Sequence, residues 1–154
     1  MLRISKLTDY GTVVLGHLAQ LESAQASASE IAAATGVGLP TVSKLLKNLA
    51  KAGLVKSTRG AQGGYRLARE AADISAAEVI DALEGPVSIT ECSGDDSHCG
   101  IEAVCNVGNA WQRINVAIRR ALQDVSLDDL KRANAPTPLF NFVGTPINVE
   151  RKDK

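Results

Sequence analysis

The sequence predicts a mainly α-helical fold in which three short helices and a two-stranded hairpin are followed by one long helix. Three observations carry that expectation. Alanine and leucine dominate while aromatic residues make up only 3%, a balance that favours helices over sheets. A glycine-rich stretch, Thr58-Arg59-Gly60-Ala61-Gln62-Gly63-Gly64, separates two short β-prone segments. Over residues 104–125, Trp111, Ile114, Ile118, Leu122 and Val125 recur on one helical stripe.

Taken in order, Leu7, Val14, Leu18 and Leu21 sit at helical spacing and predict a first helix over 7–21, with Thr8 and Asp9 available as caps. Ser27 followed by Glu30 matches a capping box for a short alanine-rich helix that Gly36 stops. After the turn Gly36-Val37-Gly38, Pro40 stands at a first-turn position where proline is tolerated, and Val42, Leu45, Leu46 and Leu49 form the apolar face of a third helix that Gly53 ends. Its opposite face carries Lys44, Lys47, Asn48 and Lys51, with Thr41 and Ser43 at the leading end. Leu54–Ser57 and Tyr65–Leu67 read as the hairpin strands. Ser75 caps a helix from Ala76 to Leu83, stopped by Gly85-Pro86, and Ser126 caps a last turn from Leu127 to Arg132. Beyond Asn134, Pro136, Pro138 and Pro146 leave no period, which predicts a mobile tail.

The totals narrow the function classes. A chain of 154 residues with 45% apolar content can bury one core with an extension. No apolar run approaches the roughly 18 residues of a membrane span, and no charged-then-apolar segment opens the chain, so a cytoplasmic protein is expected. The net charge of zero hides an asymmetry: residues 1–67 hold eight Lys/Arg against three Asp/Glu, and residues 68–154 hold nine against fourteen. Only the first half is suited to a polyanion. With no nucleophile–base–acid arrangement and no phosphate-binding glycine loop, an enzyme is not expected.

Two short helices joined by a glycine turn, the second basic on one face and followed by a hairpin, make a winged helix-turn-helix. Such a second helix fits the major groove of DNA. Thr41, Ser43 and Lys44 are the candidates for base edges, and Lys47 and Lys51 for the phosphate backbone. Arg59, on the glycine-flexed wing tip, is suited to a narrow minor groove, and Gln62 beside it is grouped with the DNA-facing residues. The plainer reading is a protein-interaction module with solvated lysines; the wing arginine and the charge split favour DNA.

All three cysteines, Cys92, Cys99 and Cys105, fall within one 14-residue window. An odd count leaves one thiol over in any intramolecular disulfide scheme, so metal or redox chemistry is expected. Thiolates suit zinc and iron-sulfur clusters alike, and both normally want four ligands. Six residues separate the first pair and five the second, which is too open for the tight cysteine pairs of zinc ribbons.

The chain resembles the winged-helix transcription regulators that include IscR and NsrR. The resemblance covers about residues 1–132. It rests on MLRISKLTDYG, on GLPTVSKLLKNLAKAGLVKSTRGAQGGYRLA through recognition helix and wing, on ISAAEVIDALEGP, and on three cysteines before a long helix. Within that family the nearest likeness is to regulators of the SUF cluster-assembly system. The resemblance implies a homodimer in which the long helix crosses its partner through Trp111, Ile114, Ile118, Leu122 and Val125. It also implies an iron-sulfur cluster on Cys92, Cys99 and Cys105, with two irons preferred to four.

This sequence departs from the family pattern in two ways. The first cysteine interval is one residue longer, and the histidine that IscR offers three residues after the last cysteine is replaced by Gly108. The fourth ligand is then sought at Asp9, by likeness to NsrR relatives that supply an aspartate from the partner subunit. His98 is the alternative, and Asp95, Asp96, Glu102 or an exogenous ligand such as solvent or a thiol follow; His17 reads as structural.

The implied organisation is a DNA-binding domain over 1–70 whose first helix also packs on the dimer helix, a connecting helix over 71–91 and a cluster-binding loop over 92–105. A dimerisation helix with its last turn follows over 104–132, then the tail over 133–154. The function implied is a cytoplasmic repressor of iron-sulfur assembly genes that binds a palindromic operator as its cluster state dictates. The rival readings are a nitric-oxide or redox-sensing repressor of the same family, a cluster carrier without sequence-specific DNA binding, and a winged-helix protein with structural zinc.

Overall fold

The computed structural model describes residues 3–21, 24–60, 63–90 and 107–132. Six helices and one hairpin run in the order α1 (Lys6–Gln20), α2 (Ala28–Thr35), α3 (Leu39–Lys51), β1 (Val55–Thr58), β2 (Gly64–Leu67), α4 (Ala76–Glu84), α5 (Gly108–Gln123) and α6 (Leu127–Lys131). The fold is mainly helical, as the composition predicts.

Helices α2, α4 and α6 start alike. Ser27, Ser75 and Ser126 each accept the N–H of the third helical residue, while Glu30, Glu78 and Asp129 reach back to the cap N–H. Each reciprocal pair satisfies two donors that have no partner inside the helix. Helix α1 corrects an expectation: its cap is Ser5, whose hydroxyl accepts the Thr8 N–H, so Thr8 and Asp9 lie inside the helix rather than capping it. Gly36 ends α2 with φ 71°, a left-handed conformation that costs glycine least.

The core lies where α1, α2, α3 and the hairpin meet. Val14 and Leu15 of α1, Ile31 of α2, and Val42, Leu45, Leu46 and Leu49 of α3 have no exposure to solvent. Leu54 and Val55 close it from the hairpin side, and Ile74, Val79 and Leu127 join it from the second half of the chain. Antiparallel pairing runs from Val55–Leu67 to Thr58–Gly64. A second short pairing joins the segments before α4 and α6: the Ala76 N–H donates to Val125 O at 2.8 Å and the Leu127 N–H to Ile74 O at 2.7 Å. This brings α6 onto α1.

The long helix is shorter than its periodicity predicts, running from Gly108 to Gln123. Residues 104–106, the cysteine window and the tail expected over 133–154 lie outside the described residues. Among the described residues, no helix is long and apolar enough to cross a membrane.

Candidate nucleic-acid interface and the frame of the cysteine window

Helix α3 is amphipathic for a reason visible in its packing. Val42, Leu45, Leu46 and Leu49 are fully buried, which turns Ser43, Lys44, Lys47 and Lys51 outward, with Thr41 and Asn48 half-exposed beside them. No acidic residue stands in the first turn, and Pro40 occupies it without loss because first-turn N–H groups have no helical acceptor. Among the described residues none of the three lysines is paired with a carboxylate. A free cationic face of this kind is what counterion release from a phosphate backbone requires.

The wing is held rigidly at its root. The Ala26 N–H donates to Tyr65 O at 3.1 Å and the Tyr65 N–H to Ala26 O at 2.8 Å, so the segment before α2 pairs with β2. A side chain at Gly64 would meet the Ala26 backbone at 2.8 Å, so only glycine allows that approach. Arg59 is exposed at the tip beside Gly60, whose φ of 115° lies in the glycine-favoured region. Lys56 on β1 is likewise exposed, a basic residue to which the sequence reading assigned no role. Gln62 lies outside the described residues.

Cys92, Cys99, Cys105 and His98, with Asp95, Asp96 and Glu102, also lie outside the described residues. What the structure describes is the frame on either side of them. On the entry side, the Asn115 Nδ2 donates to Val87 O at 3.1 Å, and Arg119 makes a two-pronged bond to Asp81, Nη1–Oδ1 3.2 Å and Nη2–Oδ2 2.5 Å. These contacts fix α5 against α4 and against the chain leading to Cys92. On the exit side, α5 begins three residues after Cys105.

Asp9 is the one candidate ligand among the described residues. It is exposed in the first turn of α1. That turn is held by Glu84 at the end of α4: Glu84 Oε1 accepts the Ser5 N–H at 3.0 Å and the hydroxyl of buried Thr8. The Thr8 hydroxyl first and the Ser5 N–H second keep the Glu84 carboxyl below its ordinary range. His17 is half-buried in a groove with Thr12, Gly16 and Leu130.

On α5, Trp111 is 41% and Ile114 44% exposed, and Val107 just before it 58%. Ile118 and Leu122 are half-buried. Val125 lies beyond the helix end and is 5% exposed, on the wall of a groove at the base of α5. Beneath the base of α5 a groove of about 600 Å³ is lined by Ile4, Val79, Ile80, Leu122 and Leu130, with Asp9 also on its wall. Ser5, Glu84, Asn115 and Arg119 carry this geometry, and none was singled out from the sequence.

A helix-turn-helix with an unpaired cationic face and a pinned two-stranded wing defines the class: a DNA-binding winged-helix transcription regulator, not an enzyme. Residues 4–133 match the Rrf2 family of iron-dependent transcriptional regulators, and the chain belongs to that family. It is 36% identical to Protein rrf2 of Nitratidesulfovibrio vulgaris over 132 residues, covering 85% of this chain and 88% of that protein. Among solved structures it is similar to CymR, the global cysteine regulator of B. subtilis, with TM-score 0.67 and 34% identity over 88% of this chain and all of that one. It is also similar to T. potens IscR, with TM-score 0.65 and 32% identity over 87% and 89% of the two chains.

Proposed function

We propose that the protein is a homodimeric iron-sulfur regulator, a repressor of iron-sulfur (SUF) assembly genes, whose cluster state sets its affinity for a palindromic operator. The observation that carries this reading is the position of the cysteine window. In the sequence it lies between α4, which packs on the DNA-binding half, and α5, whose outer apolar face has no cover within the described residues. The likeness to IscR and the iron dependence of the family support the same assignment.

The donor set fits such a group. Three soft thiolates with an exposed carboxylate at Asp9 supply four ligands, and the oxygen ligand would leave the centre labile, as a sensor requires. When bound, the cluster would supply reversible, oxidant-sensitive crosslinking of the loop. The two-iron form is preferred, and His98 is the alternative to Asp9.

The exposed face of α5 supports the dimer. Its exposed tip carries Trp111 and Ile114, and its base ends at the apolar groove beside Asp9. If two copies of α5 pack antiparallel, about a two-fold axis perpendicular to them, the tip of each meets the base of the other. The end of the helix nearest Cys105 then approaches the partner's Asp9, which is the reason to assign that ligand in trans. DNA contact is assigned to Thr41, Ser43, Lys44, Lys47, Lys51, Arg59 and Gln62. A change at the cluster would alter the spacing of the two recognition helices, which must stand about one DNA turn apart.

The test is anaerobic purification with visible absorption and iron and sulfide analysis, then operator binding by holo and apo protein. A cluster-bearing protein whose operator affinity changes on cluster removal is expected. A colourless, zinc-loaded product would overturn the cluster, and equal affinities would overturn the switch.

A further inference from the structure

Among the described residues four helices begin with a capping serine, and three of them carry their own acid at the third helical position: Glu30, Glu78 and Asp129. Helix α1 does not. Its third residue is Thr8, which has no carboxylate to reach the Ser5 N–H. That donor is instead satisfied by Glu84, 79 residues away in sequence and the last residue of α4. The capping box of α1 is therefore split between two helices.

The split has a mechanical meaning. A local box fixes only its own helix end, whereas this one fastens the first turn of α1 to the end of α4. Thr8 is only 2% exposed, so its hydroxyl is committed to Glu84 with little competition from water. One turn on, the helices touch so closely that a Cβ at Gly11 would lie 2.3 Å from the Leu83 Cδ1. Asp9 sits between Thr8 and Gly11, and the chain leaves Glu84 through Gly85 and Pro86 toward Cys92.

We propose that Glu84 is a positioning residue for the metal centre, holding the Asp9-bearing first turn of α1 ordered for ligation of the partner subunit's cluster. The proposal rests on the assignment of Asp9 as a ligand made above. Glu84 touches no ligand itself; it acts through Ser5 and Thr8. Its removal frees the first turn of α1 to fray, and a ligand on a fraying turn spends less time in ligating geometry.

The experiment uses the full chain in three variants, Glu84→Ala, Glu84→Gln and Thr8→Val, with thermal melts to establish folding. Each is loaded anaerobically with iron and sulfide, then exposed to air while the visible absorption is followed. Glu84→Ala should lose its cluster roughly tenfold faster than wild type, in the range seen when the groups that orient a metal ligand are removed. Glu84→Gln should restore the lifetime, because an amide oxygen can accept from the same two donors. Thr8→Val, which deletes one donor with little change of volume, should fall between them. In the apo proteins, amide exchange over residues 5–10 should quicken in Glu84→Ala and not in Glu84→Gln.

A loaded wild type whose cluster lifetime matches that of Glu84→Ala overturns the proposal alone. Equal acceleration in the Gln and Ala variants also overturns it, since the charge rather than the hydrogen bonds would then matter. A wild type that takes up no iron and sulfide overturns the proposed function and this inference with it.

Discussion

Helices α3 and α5 have the same kind of amphipathic sequence and opposite fates. Apart from Leu39 at its leading end, the apolar face of α3, Val42, Leu45, Leu46 and Leu49, is at zero exposure, while Trp111 and Ile114 of α5 stay more than two-fifths exposed. Where α5 does meet its own chain it does so partly through polar groups, Asn115 to Val87 and Arg119 to Asp81. An apolar stripe states that a face will be covered and is silent about whose atoms cover it. The DNA-reading half completes itself; the outer face of the long helix is left uncovered by the described residues.

The largest expected effect falls on the self-contained side. Leu46→Ala should lower the free energy of unfolding by about 2–5 kcal/mol, because it opens a cavity at a site with no solvent exposure. Urea unfolding of the α3 variant beside a surface variant on α5, Ile114→Ser, measures it. A loss at Leu46 below that of the α5 variant would mean that α3 is not the better-packed helix.

Next in size is the converse experiment. Trp111→Ala should weaken dimerisation by about 2 kcal/mol, roughly thirtyfold in the dissociation constant, since an aromatic anchor carries a disproportionate share of an interface. Sedimentation equilibrium across a dilution series checks this. Val125→Ala should leave that constant unchanged while lowering stability, because Val125 is buried within its own chain. A dimer indifferent to Trp111 would move the interface off this stripe.

A smaller effect separates phosphate from base contacts on the cationic face. Lys47→Ala should reduce the slope of log affinity against log salt by about 1 and weaken all duplexes alike, as loss of one phosphate contact does. Ser43→Ala should instead change the ranking among operator sequences at nearly constant slope. Fluorescence anisotropy over a salt series, with matched and scrambled duplexes, distinguishes the two.

What could be foreseen from the sequence was what is local. The caps at Ser27, Ser75 and Ser126 announce themselves because donor and acid stand three residues apart. The α3 stripe and the glycine hairpin are equally local, and so was the basic face. The cap of α1 was misassigned to Thr8 and Asp9 because the acid that completes it, Glu84, is in another helix. The same holds for the Ala26–Tyr65 pairing that pins the wing, and for Asn115 and Arg119, whose partners Val87 and Asp81 stand 28 and 38 residues away. The fold was legible to the extent that its signals were short-ranged. In the candidate site only the residue types were legible, since their placement depends on contacts between distant segments.

The smallest effect is electrostatic and belongs to the self-contained half. The Ser27 N–H first, then its hydroxyl, hold the Glu30 carboxyl below its ordinary range, with the N–H donating at 2.7 Å. The charged form is thus favoured in the folded chain relative to the unfolded one. Its contribution is fully present above the ordinary carboxylate range and is lost as pH falls through the lowered folded value. The melting temperature should therefore decline on acidification, and Glu30→Gln should flatten part of that decline while lowering stability at neutral pH. Because Glu30 is exposed, salt and solvent screen the effect, so it should be modest. Melting curves of wild type and Glu30→Gln across the acid range supply the check. Parallel curves for the two proteins would mean that the cap of α2 is held by the Ser27 hydroxyl alone, and that the acid limb belongs to the other lowered carboxyls, Glu78, Glu84 and Asp129.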